Sequence, residues 1–181
     1  MPRYAPLQRI VHWIMALIIL PLLASGLYIG FMGFEGATKA LGGPLRDTLY
    51  EYHKTFGLIV LAMVVLRLFM RLELGRPAYD PPLPVWKRLV SALVHYGLYL
   101  SLFAMPILGW LATDASNFPV EFFGLNLPQF IAKDPVMGKS LYAAHEIVGW
   151  ILTALIVLHI GAALKHWIVD RDGVTRRMNP F

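Results

Sequence analysis

Four long apolar runs constrain this chain more than any other feature. They span approximately Leu7 to Phe31, Tyr50 to Met70, Leu89 to Thr113 and Leu141 to Ile168. Each is near or above the roughly 20 residues that a helix needs to cross a hydrocarbon layer about 30 Å thick. The chain is 57% hydrophobic and only 15% charged, whereas an average soluble domain is about 45–50% apolar and about 25% charged. Because the excess is gathered into four blocks, it predicts membrane spans rather than a large soluble core. The expected fold is all-α: an integral membrane four-helix bundle, with residues 1–181 as a single domain. Only helices or closed barrels satisfy their backbone groups inside lipid. The first run is too long for the apolar part of a cleavable signal and has no clear small-residue cleavage site before Gly30, so it is read as a retained span. Pro106 lies inside the third run and is expected to kink it.

Charge orients the bundle. Four spans put the N-terminus, the segment between spans two and three, and the C-terminus on one side. That side carries Arg3, Arg9, Arg67, Arg71, Arg76, Lys87, Arg88, Lys165, Arg171, Arg176 and Arg177, against Lys39, Arg46, Lys54, Lys133 and Lys139 on the other. The positive-inside rule then predicts that both termini are cytoplasmic. The net charge of +5 follows from this asymmetry, and nucleic acid is not expected as a partner. Residues 72–88 are proline-rich and read as a semi-rigid cytoplasmic linker. The longest loop, residues 114–139, contains an aromatic, sparsely charged stretch (Phe118 to Leu125). It is expected to lie at the interface or fold over the helix ends.

The chain has no cysteine. This removes disulfides, thiolate metal sites, iron–sulfur clusters and thioether-linked haem. Metal chemistry would have to use other ligands, and six histidines stand out: His12, His53, His95, His145, His159 and His166. All lie within or at the ends of the expected spans, where ionisable side chains are rare and mark functional sites. Any one of them could be an interfacial or hydrogen-bonded side chain. The set is harder to dismiss. His145 and His159 are 14 residues apart, about 21 Å along a helix and close to four turns, so they share a face. Sorting by depth pairs His53 with His145 near the outer end and His12 with His159 near the inner end. The small residues Gly57, Gly149, Ala16 and Ala163 follow these four by one turn, where a large side chain would collide with a flat macrocycle. Close helix packing is the competing explanation. Arg67, at the depth of the inner pair, is a candidate partner for haem propionates, with snorkelling to the surface as the alternative. Lys54 could serve the outer site in the same way. Zinc usually takes three or four protein ligands, often with a carboxylate. Two opposed imidazoles per depth suit haem iron better and leave no open coordination position, which favours electron transfer. His95 is expected to start the third helix, and His166 lies two turns beyond His159. Both are candidates for a quinone pocket, where a titratable donor is needed.

The chain also resembles the prokaryotic cytochrome b561 family along nearly its whole length. The resemblance is carried by RIVHW (Arg9 to Trp13), Tyr52 to Leu68 with His53, Gly57 and Arg67, AMPILG (Ala104 to Gly109) and FFGLNLP (Phe122 to Pro128). It continues through the His145–His159 spacing, AALKH (Ala162 to His166) and RMNP (Arg177 to Pro180). It implies a bacterial inner-membrane protein with two haem b groups held by His12, His53, His145 and His159, His166 being the quinone-side histidine. It further implies electron exchange with ubiquinone, from a periplasmic-side donor such as superoxide, another small anion or a redox partner protein. An alternative is a haem-bearing anchor subunit of a larger oxidoreductase. The outer side has five Lys and Arg against seven acidic residues, so a broad positive funnel for an anion is not expected there. Arg46, Lys54 and Lys139 could still form a local one.

Overall fold

The computed structural model describes residues 1–180. Four helices, α1 (Pro6–Leu41), α2 (Gly43–Glu73), α3 (Val85–Ala115) and α4 (Pro135–Leu164), account for most of the chain. All four are long and apolar enough to cross a membrane. A two-stranded hairpin, β1 (Glu121–Phe122) and β2 (Leu125–Asn126), lies between α3 and α4. A π-helical stretch, Lys165–Asp170, continues α4, and a short 3-10 turn, Thr175–Arg177, follows.

Few side chains are buried, and large apolar ones such as Leu17, Leu93 and Leu100 point outward. This inverts the soluble pattern and fits a bundle whose outer surface meets lipid. α3 packs most extensively on α4 and α1 on α2, with α2 also against α3. Val11, Met15, Val60, Val64 and Met70 form the buried cluster, flanked by Tyr99 and Leu102 of α3.

Every helix extends past its apolar run. α1 continues for ten residues beyond Phe31 and α2 begins seven before Tyr50. Hydropathy marks only the apolar part of each helix, while α1 and α2 continue through polar residues such as Lys39, Arg46 and Asp47. Gly33 interrupts α1 at φ 64, ψ 177, a conformation open essentially to glycine alone. Gly42, at φ 76, then turns the chain directly into α2. Arg46 closes this end by donating to Thr38 Oγ1 at 2.6 Å and lying 4.0 Å over the Phe34 ring. Pro106 sits inside α3, which remains one helix throughout.

Both termini lie at one end of the bundle, tied to each other. Tyr4 N–H donates to Arg177 O at 3.1 Å, and Trp13 Nε1 donates to Met178 O at 2.8 Å. The Arg177 guanidinium is buried, lies 3.9 Å over the Tyr79 ring and donates to Pro77 O. Gln8 Nε2 donates to Met70 O and Gly75 O at 3.2 and 3.3 Å. The proline-rich linker is therefore anchored to both terminal segments. At the opposite end the long loop folds over the helix ends. Lys54 Nζ donates to Pro119 O at 2.9 Å, and Thr55 Oγ1 donates to Glu121 O at 3.2 Å. The hairpin turns at Phe123 and Gly124, both at positive φ, as a tight two-residue β-turn requires. Asp134 caps α4 by accepting from the Val136 and Met137 N–H groups, with Pro135 in the first helical position, where no amide proton is needed.

Candidate functional site: stacked imidazole pairs inside the bundle

At the hairpin end, His53 of α2 faces His145 of α4 with ring centroids 6.3 Å apart and planes at 72°. At the end that holds the termini, His12 of α1 faces His159 of α4 at 6.1 Å and 75°. The imidazole centroid lies about 1.1 Å from Nε2, and a metal–imidazole bond is about 2.0–2.1 Å. Two imidazoles on opposite sides of one ion therefore hold their centroids about 6.3 Å apart. Both pairs meet that spacing.

Hydrogen bonds at Nδ1 fix which nitrogen of the outer histidines is free. His145 Nδ1 lies 2.9 Å from Met105 O. A carbonyl only accepts, so Nδ1 carries the proton and Nε2 presents a lone pair. His53 Nδ1 lies 3.0 Å from Ser25 Oγ, whose own proton goes to Leu22 O at 2.8 Å. Ser25 must therefore accept from His53, and Nε2 is again bare. This is the orientation that outer partners impose on metal-binding imidazoles.

The inner site is different. Arg67 Nη1 lies 2.6 Å from His12 Nδ1. A guanidinium only donates, so His12 accepts at Nδ1 and holds its proton on Nε2. His95 is also present: its ring is 5.3 Å from His159, at 88°, and its Nδ1 donates to Ser91 O at 2.6 Å. The sequence reading put His95 at the start of the third helix. The structure puts it nearly three turns in, because α3 begins at Val85 and runs through Lys87 and Arg88, which the apolar run excluded. At 5.3 Å, His95 is too close to His159 to oppose it across one ion, whereas His12 is not.

The small residues divide. A Cβ on Gly57 would meet nothing within 4 Å, while one on Gly149 would touch Met105 Cε at 3.6 Å. That is an ordinary van der Waals distance, so packing leaves room for a Cβ at Gly149 as well. The glycines that press on the ligand candidates are on neighbouring helices. A Cβ on Gly26 would lie 2.9 Å from His53 Cε1, and one on Gly109 would lie 3.1 Å from His145 Cε1. Sequence reasoning missed Gly26, Ser25 and the Met105 carbonyl. The Pro106–Gly109 segment was a visible signal, since a glycine on the same face as a carbonyl one turn earlier lets a neighbouring side chain reach that carbonyl. Lys54 is engaged by the hairpin through Pro119 O. His166 lies beyond the inner pair, with Nδ1 2.6 Å from Asp172 Oδ2.

Four helices long and apolar enough to cross a membrane, with facing imidazoles at two depths, define a class: membrane helix bundles with paired histidines inside. Comparison with known proteins narrows it. The family model of the prokaryotic cytochrome b561 matches residues 3–180. Cytochrome b561 homolog 2 of Escherichia coli (strain K12) is 29% identical, over 97% of this chain and 90% of that protein. Cytochrome b561 homolog 1 of the same organism is 28% identical, over 99% and 98%. A protein of Yersinia pestis named probable superoxide oxidase CybB is 25% identical, over 98% and 96%. The chain belongs to the prokaryotic cytochrome b561 family. It is a bacterial transmembrane haem protein of electron transport, with haem b as the group that the family implies.

Proposed function

We propose that this protein carries electrons one at a time across the membrane, from a donor at the hairpin end to ubiquinone at the end holding the termini, using two haem b groups. The observation that carries the reading is the pair of opposed imidazoles at each depth, with spacings of 6.3 and 6.1 Å. His53 and His145 would hold the outer haem, and His12 and His159 the inner one. Haem, when bound, supplies a one-electron couple, and two protein ligands per iron leave no position for oxygen.

The residues fit the group best at the outer site, where Ser25 and Met105 O keep both Nε2 atoms available. At the inner site Arg67 must release Nδ1 of His12, because ligation through Nε2 needs the proton on Nδ1. The freed guanidinium is then the natural partner for a propionate, the only ordinary side chain with a fork matched to a carboxylate. Gly57, with open space around it, gives room one turn from His53. His166 and His95 are the candidates to meet quinone.

Superoxide is the donor we favour, carried over from the name of the Yersinia relative. Locally, Arg46 is paired with Asp47 at 2.7 Å and Lys54 is tied to Pro119 O. Both cations are thus already engaged, and the charge of Arg46 is offset by Asp47. Quinone reduction fed by a superoxide source should exceed the spontaneous rate; equality with that rate sinks the donor assignment. For the haem sites, the wild-type protein should hold two haems per chain. His145→Ala should hold one, with the inner spectral component intact. Loss of both, or of neither, refutes the pairing.

A further inference from the structure

Past the inner imidazoles the chain builds a feature with no part in holding haem. The last turn of α4 widens into the π-helical stretch Lys165–Asp170. Such stretches are rare and frequent at functional sites. Arg171 then takes a left-handed conformation, φ 48, ψ 31, and turns the chain back so that Asp172 faces His166. The Asp172 carboxylate is held at both oxygens: Oδ1 accepts the Val174 N–H at 3.1 Å, and Oδ2 lies 2.6 Å from His166 Nδ1. Asp170 approaches the same nitrogen at 3.5 Å but is compensated by Lys165 at 2.6 Å and Lys87 of α3 at 3.0 Å. Among the described residues, the ion-pair partner of Asp172 is His166 alone. All three side chains, His166, Asp170 and Asp172, are only about a fifth exposed.

We propose that Asp172 is a positioning residue for proton transfer to quinone. It holds the proton on Nδ1 of His166 and aims Nε2 at the quinone carbonyl oxygen, while Asp170 with its two lysines sets the local charge. This inference rests on the quinone reading above. A carboxylate accepts only, so the imidazole is locked with Nδ1 protonated. Nε2 is then the atom that gives a proton, and Asp172 stabilises the imidazolium that precedes the transfer, as an acid does for histidine in hydrolytic triads. The balance closes with superoxide as reductant. Two superoxide anions become two O2 and release two electrons; the quinone takes those electrons with two protons and becomes the quinol. His166 passes these protons from the aqueous side and is reprotonated after each.

The test uses the full-length, haem-loaded protein, reduced with dithionite, freed of excess and mixed anaerobically with ubiquinone-1. Reoxidation is followed in the visible band. Asp172→Asn should lower the limiting rate about 10- to 100-fold, by analogy with removing the carboxylate behind a metal-bound histidine. It should leave KM for quinone within about twofold and enlarge the solvent deuterium isotope effect. Asp172→Glu should recover most of the rate. An unchanged limiting rate, or a KM that rises as the rate falls, overturns the proposal. His166→Ala separates the two levels. If it reacts with quinone at the wild-type rate, the quinone site itself is misplaced. If it is slow while Asp172→Asn is not, the site stands and the Asp172 role falls. Should Asp172→Asn fail to load haem, Asp172→Ala carries the test on the same readouts: a lowered limiting rate with KM for quinone unchanged supports the role of Asp172, and an unchanged limiting rate overturns it.

Discussion

At the scale of single residues, the outer site is decided by atoms that hold histidines rather than by the histidines alone. Ser25 is a relay, accepting from His53 and donating to Leu22 O. Ser25→Ala removes the acceptor and frees the imidazole to rotate or change tautomer. Haem retention at the outer site should weaken about 10- to 100-fold, as for other partners behind metal-binding histidines. Titration of the stripped protein with haemin measures this, and an outer affinity equal to wild type refutes the role. Gly26 is a steric counterpart. A Cβ there would stand 2.9 Å from His53 Cε1, inside the range that real Cβ atoms avoid, so either the ring or α1 must shift. Gly26→Ala should lose the outer haem and keep the inner one, and two haems retained in the pyridine haemochrome assay would show that α1 yields instead. The pairing of the histidines by depth was legible in the sequence because spacing along one helix is fixed by its rise. Ser25, Gly26 and Met105 were not, because they act on histidines of other helices. Met105 acts through a carbonyl that every residue possesses, so no letter distinguishes it.

Among the secondary-structure elements, four helices could be read from apolar run length, and their ends could not. A hydropathy run stops where the membrane stops, but a helix stops where backbone geometry or capping stops it. Hence α1 breaks at Gly33, at a φ of 64 and two residues past the apolar run, resumes, and ends only at Gly42. The same blindness put His95 at a helix start: Lys87 and Arg88 lower hydropathy without lowering helix propensity. The hairpin over the outer end was legible only as an apolar loop that would not stay in water. Its register depends on Phe123–Gly124 at positive φ and on the anchors from Lys54 and Thr55. The linker between α2 and α3 is held by a buried side chain at the start of α1. Gln8 donates to both the last turn of α2 and to Gly75. Gln8→Ala leaves both carbonyls without this donor in a buried corner. Because Met70 O keeps the Leu74 N–H at 3.0 Å, the loss should destabilise the protein by about 0.5–1.5 kcal/mol, seen as a lower thermal midpoint of the haem-loaded protein in detergent with its spectrum unchanged. A midpoint equal to wild type would mean that other groups or water satisfy those carbonyls.

For the whole molecule, the contacts among Tyr4, Trp13, Pro77, Arg177 and Met178 fix the N-terminus, the linker and the C-terminal tail at one end. Which side of the membrane this end faces is a separate matter, and charge supplies the physical reason for it. Eleven Lys and Arg lie at or near the end with the termini, against five at the hairpin end. The bias resides in short segments next to the spans, where the positive-inside rule operates. Several of these cations also have structural work there, since Arg177 is buried over Tyr79 and Lys87 and Lys165 compensate Asp170. Moving them to the other end would break these contacts, so the residues that tie down the tail are among those that the positive-inside rule counts. Orientation decides what charge movement the proposed electron transfer would produce. On the proposed function, with the termini in the cytoplasm as the charge bias predicts, His166 and Asp172 would draw protons from the cytoplasm while electrons enter at a periplasmic hairpin, so turnover would move negative charge inward and consume protons inside. A green fluorescent protein fused to the C-terminus should therefore fluoresce. Alkaline phosphatase inserted at Phe123–Gly124 should be active, and the same enzyme at the C-terminus should not. The reverse pattern would place the quinone site at the periplasmic face and invert the predicted charge movement. The absence of cysteine in the sequence gives an independent check on the folded protein. A single cysteine at Phe123, which is exposed on the hairpin, should react in intact cells with a thiol reagent that cannot cross the inner membrane.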